Sequence, residues 1–265
     1  MSPLARLAEE GLVHLPATEA TGRWAAAALA AGQAPIARLS HDPRWLRHGG
    51  TWFVGVDALP NDATGAVGGV PFPADLQALL PPMAGFHPGQ LSVCYEGYPR
   101  QDAGESDAAH RYRRRRDGAH VDGLILEAGR RFPREPHAFV LGLALTPAPP
   151  APLVVWRGSH HLMGAAFRDR IGRGDPRDVD VTDTYVETRR TCFEEYARVV
   201  VEMAPGGAVL VHRLALHGIA PHDPAHVMPE AGRQMAYFRP LSADPAEWLS
   251  EAALVAAAPP QPFSR

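Results

Sequence analysis

Lysine is absent from this chain of 265 residues; all 26 basic side chains are arginine. Alongside abundant alanine and proline, this points to a biased base composition, so arginine counts alone carry no argument. Cysteine is nearly absent too. Cys94 and Cys192 form no C-x-x-C and no disulfide framework. Neither G-x-G-x-x-G nor G-x-x-x-x-G-K-[ST] occurs, which removes support for nucleotide binding through those loops. No long apolar run goes uninterrupted. The alanine-rich stretch at 25–31 is too short to span a bilayer, and Pro147, Pro149, Pro150 and Pro152 break up residues 138–156. Arg6, Glu9 and Glu10 disrupt any signal-peptide core. A net charge of -3 gives no global positive field for nucleic acid. The expectation is a soluble, cytoplasmic protein with neither a membrane nor a nucleic-acid partner.

Apolar residues make up 46% and charged residues 21%, an ordinary globular balance. There is no internal repeat and no long linker, so residues 1–265 read as a single domain. Helices are expected at 3–10, from a Thr18 or Thr21 cap to a Gly32 stop, and at 74–80. Further helices are expected from a Ser159 cap to about 171, from Thr182 or Thr184 onward, and after an Asp244 cap. Strands are expected at 51–59, 89–99, 137–146, 152–156, 199–204, 207–212, 215–220 and 232–240. Residues 101–117 are polar without an apolar period and read as a loop. Helices thus dominate the first part and strands the second. Short strands without regular βα alternation argue against a parallel sheet and for a sandwich or jelly roll with outer helices.

The chain holds one His-x-Asp, at His120-Val121-Asp122. On an extended strand end, side chains two apart share a face, so an imidazole and a carboxylate converge there. A further histidine would complete a 2-His-1-carboxylate triad suited to non-haem iron. The candidate is His217, followed by Gly218 in "PGGAVLVHRLALHGIAPH" (205–222). His212 is the alternative; the two differ by five and face opposite ways on a regular strand. Alone, His120 and Asp122 are weak evidence for a metal, since about one such pair is expected by chance among 13 histidines, and they read as well as a structural hydrogen-bonded pair.

Four segments in order resemble the phytanoyl-CoA dioxygenase family of Fe(II)/2-oxoglutarate oxygenases. They are "HVD" (120–122), "VVWRGSHH" (154–161), "PGGAVLVHRLALHG" (205–218) and "GRQMAYFRP" (232–240). The resemblance covers roughly residues 89–240. It implies a double-stranded β-helix, or jelly roll, with its core strands in that range and helices flanking it. It also implies Fe(II) held by His120, Asp122 and His217, and 2-oxoglutarate held by Arg233. The "GIAPHDPAHVMPEAG" segment before Arg233 is longer than is usual in the family. Arg239, of the same strand parity, is the other candidate. Arg233 is preferred because it lies nearer the strand start, level with a metal-proximal ligand. The implied reaction is hydroxylation of a small molecule by O2, with release of succinate and CO2. An acidic Asp122, where related halogenases carry a small residue, implies hydroxylation rather than halogenation.

Gln90 and Tyr95, on the strand before the polar segment, are further candidates for cosubstrate contacts. The run Arg111, Arg113, Arg114, Arg115, Arg116 either steers an anionic substrate or forms a solvated stretch of an arginine-biased protein. His160 reads as a polar residue near the pocket rim, His222 and His226 as solvated, and Trp156 and Tyr237 as core or pocket wall. Two other functions compete: a metal-dependent enzyme of this fold that does not use 2-oxoglutarate, and a non-catalytic β-sandwich binding protein.

Overall fold

The computed structural model describes residues 1–81 and 83–250. In chain order these form α1 (Pro3–Glu10), β1 (Leu12–Leu15), α2 (Glu19–Leu39), β2 (Leu46–Arg47), β3 (Trp52–Gly55), α3 (Ala74–Gln77) and β4 (Gln90–Cys94). Then come α4 (Asp107–Arg115), β5 (Leu124–Glu127), β6 (Arg130–Pro133), β7 (Phe139–Ala144), β8 (Leu153–Trp156), α5 (Ser159–Ile171) and α6 (Thr182–Glu195). The last strands are β9 (Arg198–Val201), β10 (Ala208–His212), β11 (His217–Ile219) and β12 (Arg233–Phe238).

Seven strands pair antiparallel in the order β1-β10-β7-β12-β4-β3-β2, and three more in the order β11-β8-β9. The β5–β6 hairpin stands apart. Successive side chains on a strand face opposite ways, and β8 uses both faces. Leu153 and Val155 join Val140, Val209, Val211 and Met235 of the larger sheet in the core between the sheets. Val154 and Trp156 face outward onto Met163 and Phe167 of α5 and Tyr185 and Cys192 of α6. The outer face of the larger sheet packs through Leu91, Val93, Leu141 and Phe238 against Trp24, Ala25 and Ala28 of α2. The molecule is therefore mainly β, with helices outside, as its sequence pattern indicates. The larger sheet also recruits β1, β2 and β3, which lie before the expected core range of 89–240.

Three local expectations are corrected. Thr18 caps α2, accepting from the Thr21 N–H at 3.2 Å, but Gly32 does not stop it. A Cβ at Gly32 would lie 3.1 Å from Leu91 Cδ1, so this glycine allows close helix-to-sheet packing, and the helix runs on to Leu39. Residues 107–115 form a helix rather than a loop. Ser106 caps it, accepting from the Ala109 N–H at 3.2 Å, while Asp107 and Arg113–Arg115 complement its dipole. None of its residues is buried, so no apolar period marks it. Finally, Ser159 opens α5 without capping it; the cap position is Gly158, in the left-handed region at φ 81°. Asp244 caps one short turn at Pro245–Glu247, and the rest of the expected final helix lies outside the described residues. No described helix is long and apolar enough to cross a membrane.

Candidate metal centre

His217 opens β11, and the chain segment at His120 lies alongside it. The His120 N–H donates to the His217 carbonyl at 2.8 Å, and the His217 N–H returns a bond to the His120 carbonyl at 3.1 Å. This approach depends on Gly218. A Cβ there would fall 2.3 Å from the Asp117 carbonyl oxygen and 2.9 Å from Ala119 Cα. Ser159 fixes the other side, its hydroxyl accepting from the Leu216 N–H at 2.9 Å. Gly123, at φ 80°, then turns the chain away into the β5–β6 hairpin.

One ligand atom from each of His120, Asp122 and His217 lies within 4.8 Å of the others. His120 Nε2 is 3.1 Å from Asp122 Oδ1, and His217 Nε2 is 3.6 Å from Asp122 Oδ2. Each ring is held at its other nitrogen. His120 Nδ1 lies 3.0 Å from the Gly118 carbonyl, and His217 Nδ1 lies 2.9 Å from the Ala215 carbonyl. A carbonyl only accepts, so Nδ1 carries the proton in the neutral ring. Each Nε2 then faces the carboxylate: when the ring is protonated it donates to Asp122, and in the neutral ring its lone pair is available to a metal, which would replace that proton. Burial pushes the Asp122 carboxyl up, but hydrogen bonds from His120 and His217 outweigh it and hold the group well below the usual carboxylate range. Burial likewise lowers His217, and the Asp122 hydrogen bond and charge more than reverse the effect. The set brings two imidazole nitrogens and one carboxylate oxygen together, donors of the kind a divalent ion takes.

The triad opens into a cavity of about 210 Å³ between the sheets. Trp52, Val54, Val140, Leu153, Ile219 and Tyr237 form its apolar wall, and Gln90 and Arg239 line it beside the triad residues. The two candidate anchor arginines stand at opposite ends of β12. Arg239 lies beside the triad, whereas Arg233, preferred from its place at the strand start, lies at the other end. Arg239 Nη1 is 3.7 Å from Asp122 Oδ2, and its Nη2 donates to Gln90 Oε1 at 2.6 Å. Arg233 is fully buried at the far end, paired in register with Cys94. Burial raises both the Cys94 thiol and the Tyr237 hydroxyl, and the nearby Arg233 charge pulls each back. None of its three guanidinium nitrogens meets full hydrogen-bond geometry among the described residues; the Tyr237 hydroxyl is close enough to interact with it, but no carboxylate pairs with it there.

Other sequence candidates fall elsewhere. Tyr95 packs against the outer core on the α2 side of the sheet, away from the cavity. His160 is fully buried rather than at a rim, with Nε2 2.9 Å from the Ala8 carbonyl and its ring 4.4 Å from that of His212. His212 thus belongs to that buried cluster, apart from the triad. The arginine run lies on α4 and, at Arg116, on its C-cap, and it lines no part of the cavity. Arg113 pairs with Glu105 and Arg116 lies over the Phe193 ring. Sequence reading missed Trp52 as a cavity residue, and Arg47 with it. Period two supplied the signal: Trp52 and Val54 share a face and pair in register with Cys94 and Ser92.

No protein-family profile matches the chain, and no curated protein matches it either. Solved structures do. The non-heme alpha ketoglutarate dependent carbocyclase SnoK from nogalamycin biosynthesis is 16% identical, with a TM-score of 0.54 over 91% of this chain and 83% of that one. The non-heme alpha ketoglutarate dependent epimerase SnoN from the same biosynthesis is 17% identical, with a TM-score of 0.53 over 91% and 80%. The fold is shared with these proteins. A second SnoN structure, in complex with Fe3+, alpha ketoglutarate and nogalamycin RO, matches at 16% identity and a TM-score of 0.52, covering 91% of this chain and 82% of that one.

Proposed function

We propose that this protein is an Fe(II)- and 2-oxoglutarate-dependent oxygenase of a small molecule, built on a jelly roll like that of the phytanoyl-CoA dioxygenase family. The observation that carries the reading is the pairing of the triad with Arg233. A guanidinium buried without an anion is strongly unfavourable, so a fold that keeps one at that position is suited to a carboxylate that arrives later. The donor set also fits. His120 Nε2, Asp122 and His217 Nε2 would hold iron, and Arg233 would hold the 5-carboxylate of 2-oxoglutarate by a bidentate pair. The strand order supports a jelly roll, since consecutive strands β7 and β8 lie in different sheets, as do β10 and β11. SnoK and SnoN carry the same cosubstrate in their names and share the fold.

When bound, iron and 2-oxoglutarate supply oxidation by O2. In net form, R–H, O2 and 2-oxoglutarate give R–OH, succinate and CO2. This chain's residues prepare that chemistry. The backbone carbonyls of Gly118 and Ala215 fix the imidazole protons at Nδ1. The low pKa of Asp122 keeps it ionised at neutral pH. Val140, Leu153, Ile219 and Tyr237 give the cavity an apolar wall that would disfavour water around a bound substrate. Asp122 fills the position that a halide would need, which favours hydroxylation over halogenation. Residues 1–265 would work as one cytoplasmic unit. The test is succinate release in air from the Fe(II)-loaded protein supplied with 2-oxoglutarate. Slow uncoupled release, abolished in His217→Ala, is expected; none from the metal-loaded protein would favour a metal enzyme of this fold without 2-oxoglutarate.

A further inference from the structure

The cavity beside the triad is lined by two guanidinium groups, Arg47 and Arg239, and by one carboxylate, Asp122. The two arginines mark opposite ends of one wall. Arg47 pairs across β2 and β3 with Trp52, in the register row of Cys94. Arg239 follows β12 at the triad end. Between them Trp52, Val54 and Val56 present an apolar surface.

The charges do not balance. On the reading above, Asp122 is committed to a divalent ion, and the two carboxylates of 2-oxoglutarate go to that ion and to Arg233. Arg239 is then left without an anion, although its side chain is only 19% exposed. Gln90 fixes one end of its guanidinium at 2.6 Å, and Nη1 lies beyond hydrogen-bond reach of Asp122 Oδ2. Glu135 also feels the Arg239 charge, but it lies 3.5 Å from His137 and lines no part of the cavity. A cation held rigid at one end of a mostly apolar cavity recognises an anion with an apolar body.

We propose that the substrate is an organic carboxylate whose carboxylate group binds Arg239 and whose apolar skeleton lies along Trp52, Val54 and Val56. Arg47, exposed at the far end, draws the anion in. This inference rests on the 2-oxoglutarate reading.

The test is calorimetric titration of the anaerobic Fe(II)–2-oxoglutarate protein with 3-phenylpropanoate, 3-phenylpropanamide and 3-phenylpropan-1-amine. The carboxylate is expected to bind at least about tenfold more tightly than the amide, with the amine weakest. Arg239→Gln should bring the acid and amide to within about twofold, while Arg239→Lys keeps most of the preference. In both variants the visible band of chelated 2-oxoglutarate should stay intact. Amide binding equal to or tighter than the acid would overturn the inference, as would a preference that survives in Arg239→Gln. A band lost in Arg239→Gln but present in the wild type would also overturn it, by assigning Arg239 to the cosubstrate. A wild type without the band defeats the functional reading instead. The same probes titrated into the metal-free protein then decide the carboxylate site alone: a preference abolished by Arg239→Gln retains it, and any other result removes it.

Discussion

The two ends of β12 carry the same residue type on the same face, in opposite circumstances. Arg233 opens the strand, fully buried, with no carboxylate paired to its guanidinium among the described residues. Arg239 follows the strand, partly exposed, held by Gln90 and close to Asp122. Sequence cannot separate them, because six residues preserve strand parity. Their surroundings can. An arginine with protein partners has a structural role even without a ligand, whereas a buried arginine without a paired carboxylate destabilises the protein until an anion arrives.

That contrast makes the largest prediction a double one. Arg233→Met, which roughly conserves volume, should weaken 2-oxoglutarate binding about 100-fold, through the loss of charge-assisted hydrogen bonds. The same change should stabilise the ligand-free protein by about 1–4 kcal/mol, because an uncompensated charge leaves the core. Calorimetry and thermal melts read both, and a lower melting temperature would break the comparison. At the triad end, Gly218→Ala drives a methyl into the Asp117 carbonyl and should pry the His120 segment from His217. Metal affinity should fall at least about tenfold; an unchanged affinity would mean that the backbone pairing does not position the ligands. Arg239→Met should change 2-oxoglutarate affinity by less than about threefold and lower stability by no more than about 1 kcal/mol, the value of one net hydrogen bond. A larger loss of 2-oxoglutarate would reverse the roles of the two arginines. The smallest effect is Ser106→Ala, which removes the α4 cap and should cost about 1 kcal/mol without touching metal binding.

The strands that surround the site were legible because their β-branched runs end at proline and glycine. "PLVVW" and "GAVLVH" became β8 and β10 within a residue or two. His120, Asp122 and His217 were legible as a set only through downstream motifs, and the structure brings their ligand atoms within 4.8 Å. Elements whose formation depends on remote partners were not legible. β1 exists because β10 pairs with it, and "LVHL" alone is too short to declare itself. The β5–β6 hairpin turns at Ala128 and Gly129, with φ of 47° and 80°, a two-residue turn that the Ala-Gly pair does not advertise. α4 packs no buried side chain, so its pattern resembled a loop, although Ser106 and Asp107 at one end and arginines at the other were a readable signal. His160 looked like a rim residue because nothing local shows that α1 closes over it.

The most direct test of the account is anaerobic addition of 2-oxoglutarate to the Fe(II)-loaded protein, followed by visible absorption. A charge-transfer band is expected in the wild type and in Arg239→Gln, and in Arg233→Met only at far higher 2-oxoglutarate. No band in the wild type with iron bound would contradict the 2-oxoglutarate reading. A band that depends on Arg239 but not on Arg233 would contradict the assignment of the two ends of β12.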